Sequence, residues 1–536
     1  MRNIFKMKYF YIITIAAAYC VWALTFIYHS SFIALDSRRY FCLFDDAMIS
    51  MRYAWNFSHG HGLVWNSGER VEGFTNFLMT IYMSIHTAIF NKVLAVLMIQ
   101  LSGVVFMLGI CFFSMKIGEM LLEEIKLDKR TDLKVLCFIA GFSYYPLSFW
   151  SLTGMETGML TIFLFAAIWC IFRSETNHQV SFGWPILCGC AYLTRPDVAI
   201  LIIIVALYRC LSLTVKNRPW TIYLTEVSIL LCFFVGGTLF RFIYYGEMVP
   251  NTYVLRFSEF PISFRIENGI GFITPFLDSI KYLIIIAGIG LVLNWSRRCA
   301  LLYGTVIVSI VYQIGVGGDP WNYWRMLSPS IPLLLLLFIC ELTRIVQGRF
   351  AVSPTNKWLK MSIELKNSWL QSAATYAFFL LAIMPLNEQF KDEINFKNEP
   401  YRTKANQRNV NIAIALNEIT TDKATIGVVS AGAIPYYSGL PAIDFLGKMD
   451  PYIARLKPDL SGARSWNGMK SVPAHNKYNL RYSIIEKKPT YVQIGQIGHD
   501  DLTDFLKSQY DEISYKEIKM WLKKNSIDVL WGKFKK

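Results

Sequence analysis

The sequence predicts an α-helical polytopic membrane protein with about 11 transmembrane helices and a C-terminal extracytoplasmic α/β domain. Of its 536 residues, 54% are hydrophobic and 17% are charged, and the apolar residues come in blocks. Many blocks reach about 17–25 residues, the length that an α-helix needs to cross a bilayer. After about residue 390 the composition changes to that of a water-soluble domain. We therefore divide the chain into a membrane domain, residues 1–389, and a soluble domain, residues 390–536.

The first apolar block, residues 9–28, follows Arg2, Lys6 and Lys8. No small-residue cleavage site comes after it, so we predict a retained helix whose N-terminus is cytoplasmic. Residues 29–92 then form a first periplasmic loop. The apolar stretch 75–90 within this loop is short, and counting it as a span would place the basic segment that follows on the outer side. We therefore predict that this stretch is a surface or re-entrant helix.

Ten further spans are predicted, and the charges beside them support this topology. They lie at residues 93–113, 133–150, 156–172, 182–194, 198–212, 221–245, 279–295, 300–316, 331–346 and 369–388. Most arginine and lysine residues between spans fall on the predicted cytoplasmic side, as the positive-inside rule requires. The cytoplasmic segments that carry them are 114–134, 209–218, 297–298 and 344–366. This bias accounts for much of the net charge of +15, and no basic helix or aromatic ladder indicates nucleic-acid binding.

The soluble domain is predicted to alternate helices and strands. Helices are expected at 409–419, 502–510 and 515–524, and strands at 424–429, 490–494 and 527–531. The domain has no glycine-rich phosphate-binding motif, so no nucleotide is expected. It contains no cysteine, which is compatible with export to a bacterial periplasm. We predict a multi-pass protein of the bacterial inner (plasma) membrane with a periplasmic active site and soluble domain.

Clusters of polar residues fall on the predicted periplasmic side. The most unusual begins with Asp45 and Asp46, two adjacent carboxylates between apolar neighbours. Ionisable groups near bilayer depth are costly, and they often mark functional sites. The candidate substrate-binding residues are His59, His61, Trp65, Glu69, Glu72, Glu156, Arg195, Asp197, Asn251, Tyr253, Asp319, Arg325 and His475. Turns and helix-end ion pairs offer a structural explanation for several of them, such as Arg195 with Asp197.

The placement of these clusters favours a transferase with a lipid-borne donor, because ATP and nucleotide sugars are absent outside the cytoplasm. Sugar transfer from a polyprenyl phosphate needs one carboxylate to accept the proton of the acceptor hydroxyl. It also needs a cation on the departing phosphate, and arginine suits this role because its planar fork pairs two oxygens. Asp45 and Asp46 are the candidate catalytic residues. Two carboxylates also suit a divalent cation (Mg²⁺, Mn²⁺ or Ca²⁺), and the sequence leaves open whether Asp45 and Asp46 bind one.

Three stretches near the N-terminus resemble the first extracytoplasmic loop of the bacterial GT-C glycosyltransferases. They are FDDAMISMRYA (44–54), GHGLVWN (60–66) and GERVEGFTNFL (68–78). Within these enzymes they are similar to the mycobacterial terminal β-(1→2)-arabinofuranosyltransferase family. Weaker matches follow in the family's order: LTGMET (152–157), LTRPD (193–197), PNTY (250–253), GGD (317–319), GAIPYYSG (432–439) and IDFLG (443–447).

The resemblance implies a GT-C membrane fold, a polyprenyl-phosphate sugar donor and a catalytic centre at the acidic motif of the first loop. By this likeness Asp45 or Asp46 is the base, and Asp45 is slightly favoured. Two segments depart from the family pattern: residues 320–325, where a Trp-Met continuation is expected, and residues 473–477, where a Gly-His-Glu-Lys-like segment is expected. Either departure would alter the choice of donor or acceptor, so arabinose specificity is not carried over.

We therefore expect an inverting glycosyltransferase that moves a sugar from a polyprenyl phosphate to an extracytoplasmic envelope glycan, such as lipopolysaccharide or O-antigen. Its expected partners are the lipid-linked donor, a glycan or glycolipid acceptor, and membrane lipid. Two other classes remain as alternatives: a lipid-linked glycan transporter or flippase, and a non-catalytic glycan-binding subunit. A transporter would carry polar residues along its spans and at both faces, whereas the spans here are mostly apolar.

Overall fold

The computed structural model describes residues 2–177, 180–215, 219–321, 323–347, 368–460, 469, 471–493 and 500–534. The helices before residue 400 are α1 (Arg2–His29), α2 (Asp45–Ser58), α3 (Phe77–Ile89), α4 (Lys92–Glu124), α5 (Thr131–Ala140), α6 (Tyr145–Leu152), α7 (Thr157–Asn177), α8 (Gly183–Thr194), α9 (Ala199–Val215), α10 (Trp220–Tyr245), α11 (Asn251–Phe257), α12 (Ile262–Leu293), α13 (Arg297–Gly315), α14 (Ser330–Val346), α15 (Ser368–Asn387) and α16 (Lys391–Ile394). Residues 348–367, most of the last predicted basic segment, lie outside the described residues.

Eight of the described helices are long and apolar enough to cross a membrane, and α5 with α6 adds a ninth span if the bent pair is counted as one. Two further predicted spans coincide with shorter helices, α8 with 12 residues and α14 with 17 residues. Each apolar segment predicted as a span is therefore helical, and the chain is a multi-pass membrane protein. The predicted short helix at 75–90 is confirmed as α3, an apolar helix of 13 residues.

The span predicted at 133–150 differs from the structure, which breaks it into α5 and α6 with a bend of 57°. Pro146 lies in the first turn of α6, where it has no N–H to donate into a continuous helix. The side chain of Asn387 compensates by donating to the carbonyl of Ser143 (2.8 Å) and accepting from the N–H of Tyr145 (2.9 Å). Such breaks are tolerated at membrane depth where a neighbouring side chain satisfies the freed backbone groups.

The soluble part contains a mixed sheet with helices packed beside it. The strands are β1 (Phe32–Ile33) and β2 (Arg39–Tyr40) in the first loop, then β3 (Ile426–Val428), β4 (Ala442–Asp444), β5 (Tyr491–Val492), β6 (Tyr510–Tyr515) and β7 (Ile518–Lys523). The helices are α17 (Thr403–Ile419), α18 (Ala433–Ser438), α19 (Pro451–Ala454) and α20 (Asp500–Gln509). The sheet order is β4-β3-β5-β7-β6, with β3 parallel to β4 and β5 and with β7 antiparallel to β5 and β6. This is the expected α/β fold, while its exact boundary at residue 390 stays a prediction.

Two predicted elements near the C-terminus are wrong. The helix expected at 515–524 is the strand β7, which forms a hairpin with β6. Met520 and Leu522 are buried on one side of it, and this period of two belongs to a strand. The strand expected at 527–531 is a single bridge between Val529 and Thr420, followed by a short 3₁₀ turn.

The hydrophobic core is continuous between the helices and the soluble part. One cluster of buried side chains includes Ile99, Trp150 and Phe276 of the membrane domain together with Leu416 and Ala433 of the soluble part. The first loop lies at the contact between the two. We call this end of the helical bundle the loop face.

Candidate active site

A cavity of about 650 Å³ opens at the loop face. Its walls come from the first loop, the ends of α6, α8, α10 and α13, the chain around α11, and parts of the soluble domain. Charged side chains are concentrated there. The carboxylates are Asp46, Glu156, Asp197 and Asp319, and the cations are Arg195, Arg241, Arg256, Arg325 and Lys448.

Asp46 lies in the first turn of α2, where the local sequence starts the helix. Phe44 is extended and packs edge-on against Trp150 and Trp321, with ring centroids 4.9 and 4.8 Å away. The carboxylates that follow lie at the positive end of the helix dipole. Asp46 accepts a hydrogen bond from Lys448 at 2.5 Å on one oxygen and from Arg325 at 3.4 Å on the other. Three distant parts of the chain therefore meet at this carboxylate.

Arg325 lies in the loop between α13 and α14, buried between two carboxylates. It donates to Asp319 at 3.1 Å as well as to Asp46. Gly317 and Gly318 turn the chain with φ of +84° and +83°, a conformation that strains other residues, and this turn brings Asp319 to the guanidinium. Asp319 is fully buried, so its charge depends on Arg325 for compensation.

A second ion-pair cluster lines the cavity at the end of α8. Arg195 pairs with Glu156 at 2.5 Å and with Asp197 at 2.6 Å. Arg195 is extended and precedes Pro196, which disfavours a helical conformation for it, so α8 ends at Thr194. Asn76 donates to the other oxygen of Glu156 at 3.3 Å. This cluster ties the first loop to the ends of α6 and α8.

Replacing Arg195 by leucine is expected to lower the free energy of unfolding by about 3–5 kcal/mol, because two largely buried carboxylates lose their cation. The melting temperature of the detergent-purified protein measures the loss. Arg455→Leu is the matched control, since Arg455 pairs with Glu247 on the surface, where the side chains are 46% and 57% exposed and such pairs contribute little. Equal melting temperatures for Arg195→Leu and the wild type would contradict this role.

Arg256, at the end of α11, is a cavity cation of a different kind. It donates to the carbonyl of Gly318, but among the described residues no carboxylate lies within ion-pairing distance, 4.0 Å, of its guanidinium. Its Nε–H is buried and meets no acceptor in that part of the chain. A buried N–H without an acceptor costs about 1–3 kcal/mol. An anion that enters the cavity would satisfy it.

The soluble part places Lys448. After β4, the carboxylate of Asp444 accepts two backbone N–H groups of the following turn at 2.9 and 3.0 Å. Gly447 adopts a φ of +78° in that turn. Asn251 donates to the carbonyls of Gly447 and Lys448, both at 2.9 Å. The membrane domain and the soluble part thus fix the backbone that carries Lys448 to Asp46.

Neighbouring charges distinguish the two adjacent aspartates. Burial raises the pKa of the Asp46 carboxyl, but Lys448 and Arg325 outweigh it and hold this pKa well below its usual range. At Asp45 the effect of burial exceeds that of the Ala433 amide and Lys448, so its pKa is raised. Asp46 is therefore firmly ionised at neutral pH.

His475 lines the cavity beside Trp321, with ring centroids 5.8 Å apart. Its Nδ1–H donates to the carbonyl of Pro473 at 3.0 Å, which leaves Nε2 as an acceptor in the neutral ring. Burial, followed by the charge of Lys448, lowers the pKa of His475 to about 4. The neutral ring offers a hydrogen-bond acceptor to a sugar hydroxyl.

The cavity collects many of the residues that the sequence singles out. Those that line it are Asp46, Glu156, Arg195, Asp197, Tyr253, Asp319, Arg325 and His475. They come from the first loop, four separate connections of the membrane domain and the soluble part. The convergence predicted from topology is therefore present in the structure, while the role of each residue stays a prediction.

The other predicted residues lie outside the cavity walls. Glu72 is buried and pairs with Arg241 at 2.5 Å, and Trp65 donates from its indole to the carbonyl of Ala431 at 3.2 Å. Asn251 acts behind the site by holding Lys448. The exposed residues are His59, which stacks on Trp55 with centroids 4.0 Å apart, together with His61 and Glu69. Asp45 contacts the soluble part instead of the cavity.

Sequence reasoning missed three cations of the cavity: Lys448, Arg256 and also Arg241, which lies inside the predicted span 221–245. Lys448 directly follows the IDFLG motif, and Arg256 follows the PNTY motif by three positions. In both cases a basic residue lies just beyond a motif, and the motif alone does not include it. Their importance depends on charges supplied by other elements, which a single stretch of sequence does not display.

The pair Asp45 and Asp46 does not fit a divalent cation. Such a cation needs several oxygen ligands that converge on one point. The oxygens of Asp45 face backbone N–H groups at 3.0 and 3.3 Å, and those of Asp46 face Lys448 and Arg325. Within the described ranges, no group of three or more His, Cys, Asp and Glu side chains is placed to hold a metal ion. The divalent cation that the sequence leaves open therefore has no support at this pair.

An apolar groove of about 270 Å³ joins the cavity. It shares Tyr192, Pro196 and Arg241 with the cavity and continues between α8 and α10. Gly236 and Gly237 form part of its wall, and at Gly236 an added Cβ would meet no atom within 4 Å. Only 11% of the most apolar 18-residue stretch of α10 is buried. The α10 wall of the groove therefore belongs to a helix that is largely exposed to its surroundings.

Comparison with known proteins agrees with this architecture. Residues 395–529 match a family model described as a domain of unknown function, DUF8728. Over 358 residues the chain is 22% identical to the terminal β-(1→2)-arabinofuranosyltransferase of Mycobacterium tuberculosis, covering 59% of this chain and 55% of that protein. The chain thus spans about half the length of the curated relative that it matches.

Two crystal structures of ArnT from Cupriavidus metallidurans are similar over nearly the whole chain. The apo structure matches with a TM-score of 0.52 and 13% identity, covering 95% of this chain and 97% of that one. The structure bound to undecaprenyl phosphate matches with a TM-score of 0.52 and 11% identity over the same shares. These likenesses confirm the fold that the sequence motifs predict: the chain is a multi-pass membrane protein with the fold of the GT-C glycosyltransferases.

Proposed function

We propose that this chain transfers a sugar from a polyprenyl phosphate to an envelope glycan at the periplasmic face of a bacterial inner membrane. One observation carries the proposal. An ionised carboxylate, Asp46, lies among buried cations in a cavity that an apolar groove enters from between two membrane helices. The distribution of arginine and lysine along the sequence supports the periplasmic placement of the loop face.

The groove and the cavity suit the two ends of such a donor. A polyprenyl chain is apolar and would lie in the groove between α8 and α10, while its phosphate would enter the cavity. Arg256 has an unsatisfied N–H there, and Lys448 lies within reach of the same space. Undecaprenyl phosphate is the ligand of one of the two ArnT structures, which supports a polyprenyl phosphate as the donor here.

The proposed reaction is a single displacement. When Lys448 turns from Asp46 to the donor phosphate, it frees one carboxylate oxygen and makes Asp46 more basic. That oxygen then accepts the proton of an acceptor hydroxyl as the hydroxyl oxygen attacks the anomeric carbon of the donor sugar. The bond from that carbon to the phosphate oxygen breaks, and its electron pair leaves with the polyprenyl phosphate. Arg256 and Lys448 neutralise the charge that develops on the phosphate. Attack from the face opposite the phosphate inverts the anomeric configuration.

The acceptor is proposed as lipopolysaccharide, O-antigen or a related envelope glycan. The curated relative is named as an arabinofuranosyltransferase, which supports transfer to a glycan; its arabinose is not carried over to this chain. His475 offers a neutral hydrogen-bond acceptor for a sugar hydroxyl, and Tyr253 supplies an aromatic ring at the cavity wall.

The decisive assay incubates the purified protein with a polyprenyl-phosphate sugar and an envelope glycan extract, and measures released polyprenyl phosphate. A transferase releases it in proportion to glycosylated product. A flippase or a glycan-binding subunit leaves the donor intact, and that result would overturn the proposal. Mass and linkage analysis of envelope glycans from a strain that lacks the gene would then identify the sugar and the acceptor.

Replacing Gly236 by leucine is expected to raise the KM for a long-chain donor about tenfold, because the new side chain enters the groove. A donor whose lipid is only one or two isoprene units long should be little affected, since its tail ends before the groove. Gly304→Leu on α13 is the matched control, because an added Cβ there also meets no atom within 4 Å and Gly304 lines neither groove nor cavity. Equal losses with both donors would contradict the groove as the tail site.

A further inference from the structure

The helix that carries Asp46 also holds the soluble part through a separate face. Asp45 and Arg52 are two helical turns apart on α2, so they project from the same side. Asp46 is rotated from that side by about 100° and reaches the cavity. The two side chains on the Asp45 side both bind backbone groups in and around α18.

Asp45 binds the start of α18. One of its oxygens accepts from the N–H of Ala433 at 3.0 Å and the other from the N–H of Gly432 at 3.3 Å. The two chains approach so closely that a Cβ on Gly432 would lie 2.0 Å from the backbone carbonyl oxygen of Asp45. Both carboxylate oxygens are therefore committed to the soluble part.

Arg52 binds the other end of the same short helix. Its guanidinium donates to the carbonyls of Pro435 and Leu440, and its Nε–H donates to the carbonyl of Trp65 at 2.6 Å. It is 6% exposed, and none of the ion pairs among the described residues includes it. A guanidinium that binds carbonyls, with no carboxylate within ion-pairing distance among the described residues, acts through geometry, because its planar fork fixes several acceptors at once.

The same guanidinium also reaches the strand that leads to Lys448. It donates to the side-chain oxygen of Asn66 at 3.0 Å, and Asn66 in turn exchanges two hydrogen bonds with the backbone of Ala442, at 2.8 and 3.1 Å. Ala442 begins β4, and Lys448 follows the end of that strand. Contacts at both ends of α18 and at the start of β4 thus determine where Lys448 lies relative to α2.

We infer that Asp45 and Arg52 are positioning residues, which clamp α18 and β4 against α2 and so set Lys448 beside Asp46. We call this set of contacts the α18 clamp. The effect of the clamp on donor binding rests on the proposed function, but the clamp itself is a property of the folded chain. It divides the adjacent aspartates into two tasks: Asp46 faces the substrates, and Asp45 holds the part of the chain that supplies the cation for Asp46.

The clamp is tested first without substrate, by hydrogen exchange of residues 431–442 in the purified full-length protein. Asp45→Asn and Arg52→Lys should speed exchange in this segment about tenfold or more, because the N–H groups and carbonyls they hold are freed. Asp36→Asn is the matched control, since Asp36 is a carboxylate of the same loop whose hydrogen bonds go to Arg38 and Tyr40. Unchanged exchange in Asp45→Asn would overturn the clamp.

The positioning role is tested by a double-mutant cycle that measures the Kd for polyprenyl phosphate. Asp45→Asn alone should weaken binding about tenfold, while in a Lys448→Ala background it should change binding less than about twofold, because its effect passes through Lys448. A loss of equal size in both backgrounds would overturn the positioning role, even if the clamp exists.

The two proposals fail in distinguishable ways. If the wild type releases no polyprenyl phosphate from any donor, the proposed function is wrong, and the exchange experiment still decides whether Asp45 and Arg52 clamp α18. If Asp45→Asn lowers kcat to background while its exchange and its Kd match the wild type, Asp45 acts in the chemical step and the inference is wrong. Arg52→Lys provides the independent variant, because it leaves both aspartates intact.

Discussion

Replacing Asp46 by asparagine is expected to reduce kcat for sugar transfer at least about a thousandfold. General-base catalysis contributes about 10²–10⁴-fold, and the substitution also leaves Lys448 without the carboxylate that lies 2.5 Å from it. Asparagine has nearly the shape of aspartate but accepts no proton at neutral pH. The acceptor hydroxyl must then attack while still protonated, so the loss appears in the chemical step.

The measurement is release of polyprenyl phosphate at saturating donor, with the melting temperature recorded for each variant. Glu69→Gln is the matched control, since Glu69 is a carboxylate of the same loop that is exposed and lies outside the cavity. It should retain wild-type activity. An Asp46→Asn protein that folds and keeps more than about a tenth of wild-type kcat would remove Asp46 from the role of base.

The comparison with Asp45 sharpens this test. The family resemblance slightly favours Asp45 as the base, but its oxygens accept from the backbone of Gly432 and Ala433 and it does not line the cavity. We therefore expect Asp45→Asn to weaken donor binding through Lys448 and to leave the chemical step largely intact. The two adjacent carboxylates thus have different functions, because Asp46 projects into the cavity and Asp45 projects towards α18.

Hydropathy was sufficient for the membrane domain because membrane helices must satisfy their own backbone groups. Each predicted span is helical, including the short α8 and α14. The break between α5 and α6 has a local signal in Pro146, which hydropathy alone does not register, and its satisfied backbone depends on Asn387, which lies far away in the sequence. The misassigned β7 has a different cause: its six residues show both a strand-like alternation and good helix formers, and only pairing with β6 decides between them.

Much of the site could also be predicted from the sequence, because the order of the membrane spans determines on which face each loop lies. Loops that connect consecutive spans alternate between faces, so the order of the spans assigns Arg195, Asp319 and Arg325 to the same face as Asp46. Apart from the neighbouring pair Arg195 and Asp197, their pairing could not be assigned. Arg325 pairs with two carboxylates, while among the described residues none lies within ion-pairing distance of Arg256; this depends on distances between loops, which no spacing along the chain encodes.

The arginines of the cavity differ in whether they pair with a carboxylate, and this difference predicts the effect of replacing Arg256. Arg195, Arg241 and Arg325 each pair with at least one carboxylate at 2.5–3.4 Å. Arg256 is held only by the carbonyl of Gly318 and has a buried N–H without an acceptor in the described part of the chain. Arg325 also has a buried Nε–H without an acceptor among the described residues, but its other two nitrogens hold Asp46 and Asp319. A phosphate that entered the cavity would therefore compete with a carboxylate at the other three arginines, whereas among the described residues none lies within ion-pairing distance of Arg256.

Arg256→Gln is therefore expected to lower kcat/KM for the lipid-linked donor about a hundredfold. Hydrogen bonds to charged groups contribute about 1.5–3 kcal/mol each, and a guanidinium can direct two of them at one phosphate. Arg256→Lys keeps the positive charge but loses the planar fork, so its kcat/KM should fall between those of the wild type and Arg256→Gln. The Kd for polyprenyl phosphate should rise in the same order, because this ligand keeps the phosphate and lacks the sugar.

Arg265→Gln is the matched control for this prediction. Arg265 lies over the same Phe257 ring as Arg256, at 5.5 Å against 5.9 Å, but it does not line the cavity. Its loss should leave the Kd for polyprenyl phosphate unchanged. If Arg265→Gln and Arg256→Gln weaken binding equally, the packing around Phe257 matters and the phosphate does not meet Arg256. If only Arg256→Gln weakens binding, the donor phosphate binds the guanidinium that has no carboxylate within ion-pairing distance among the described residues.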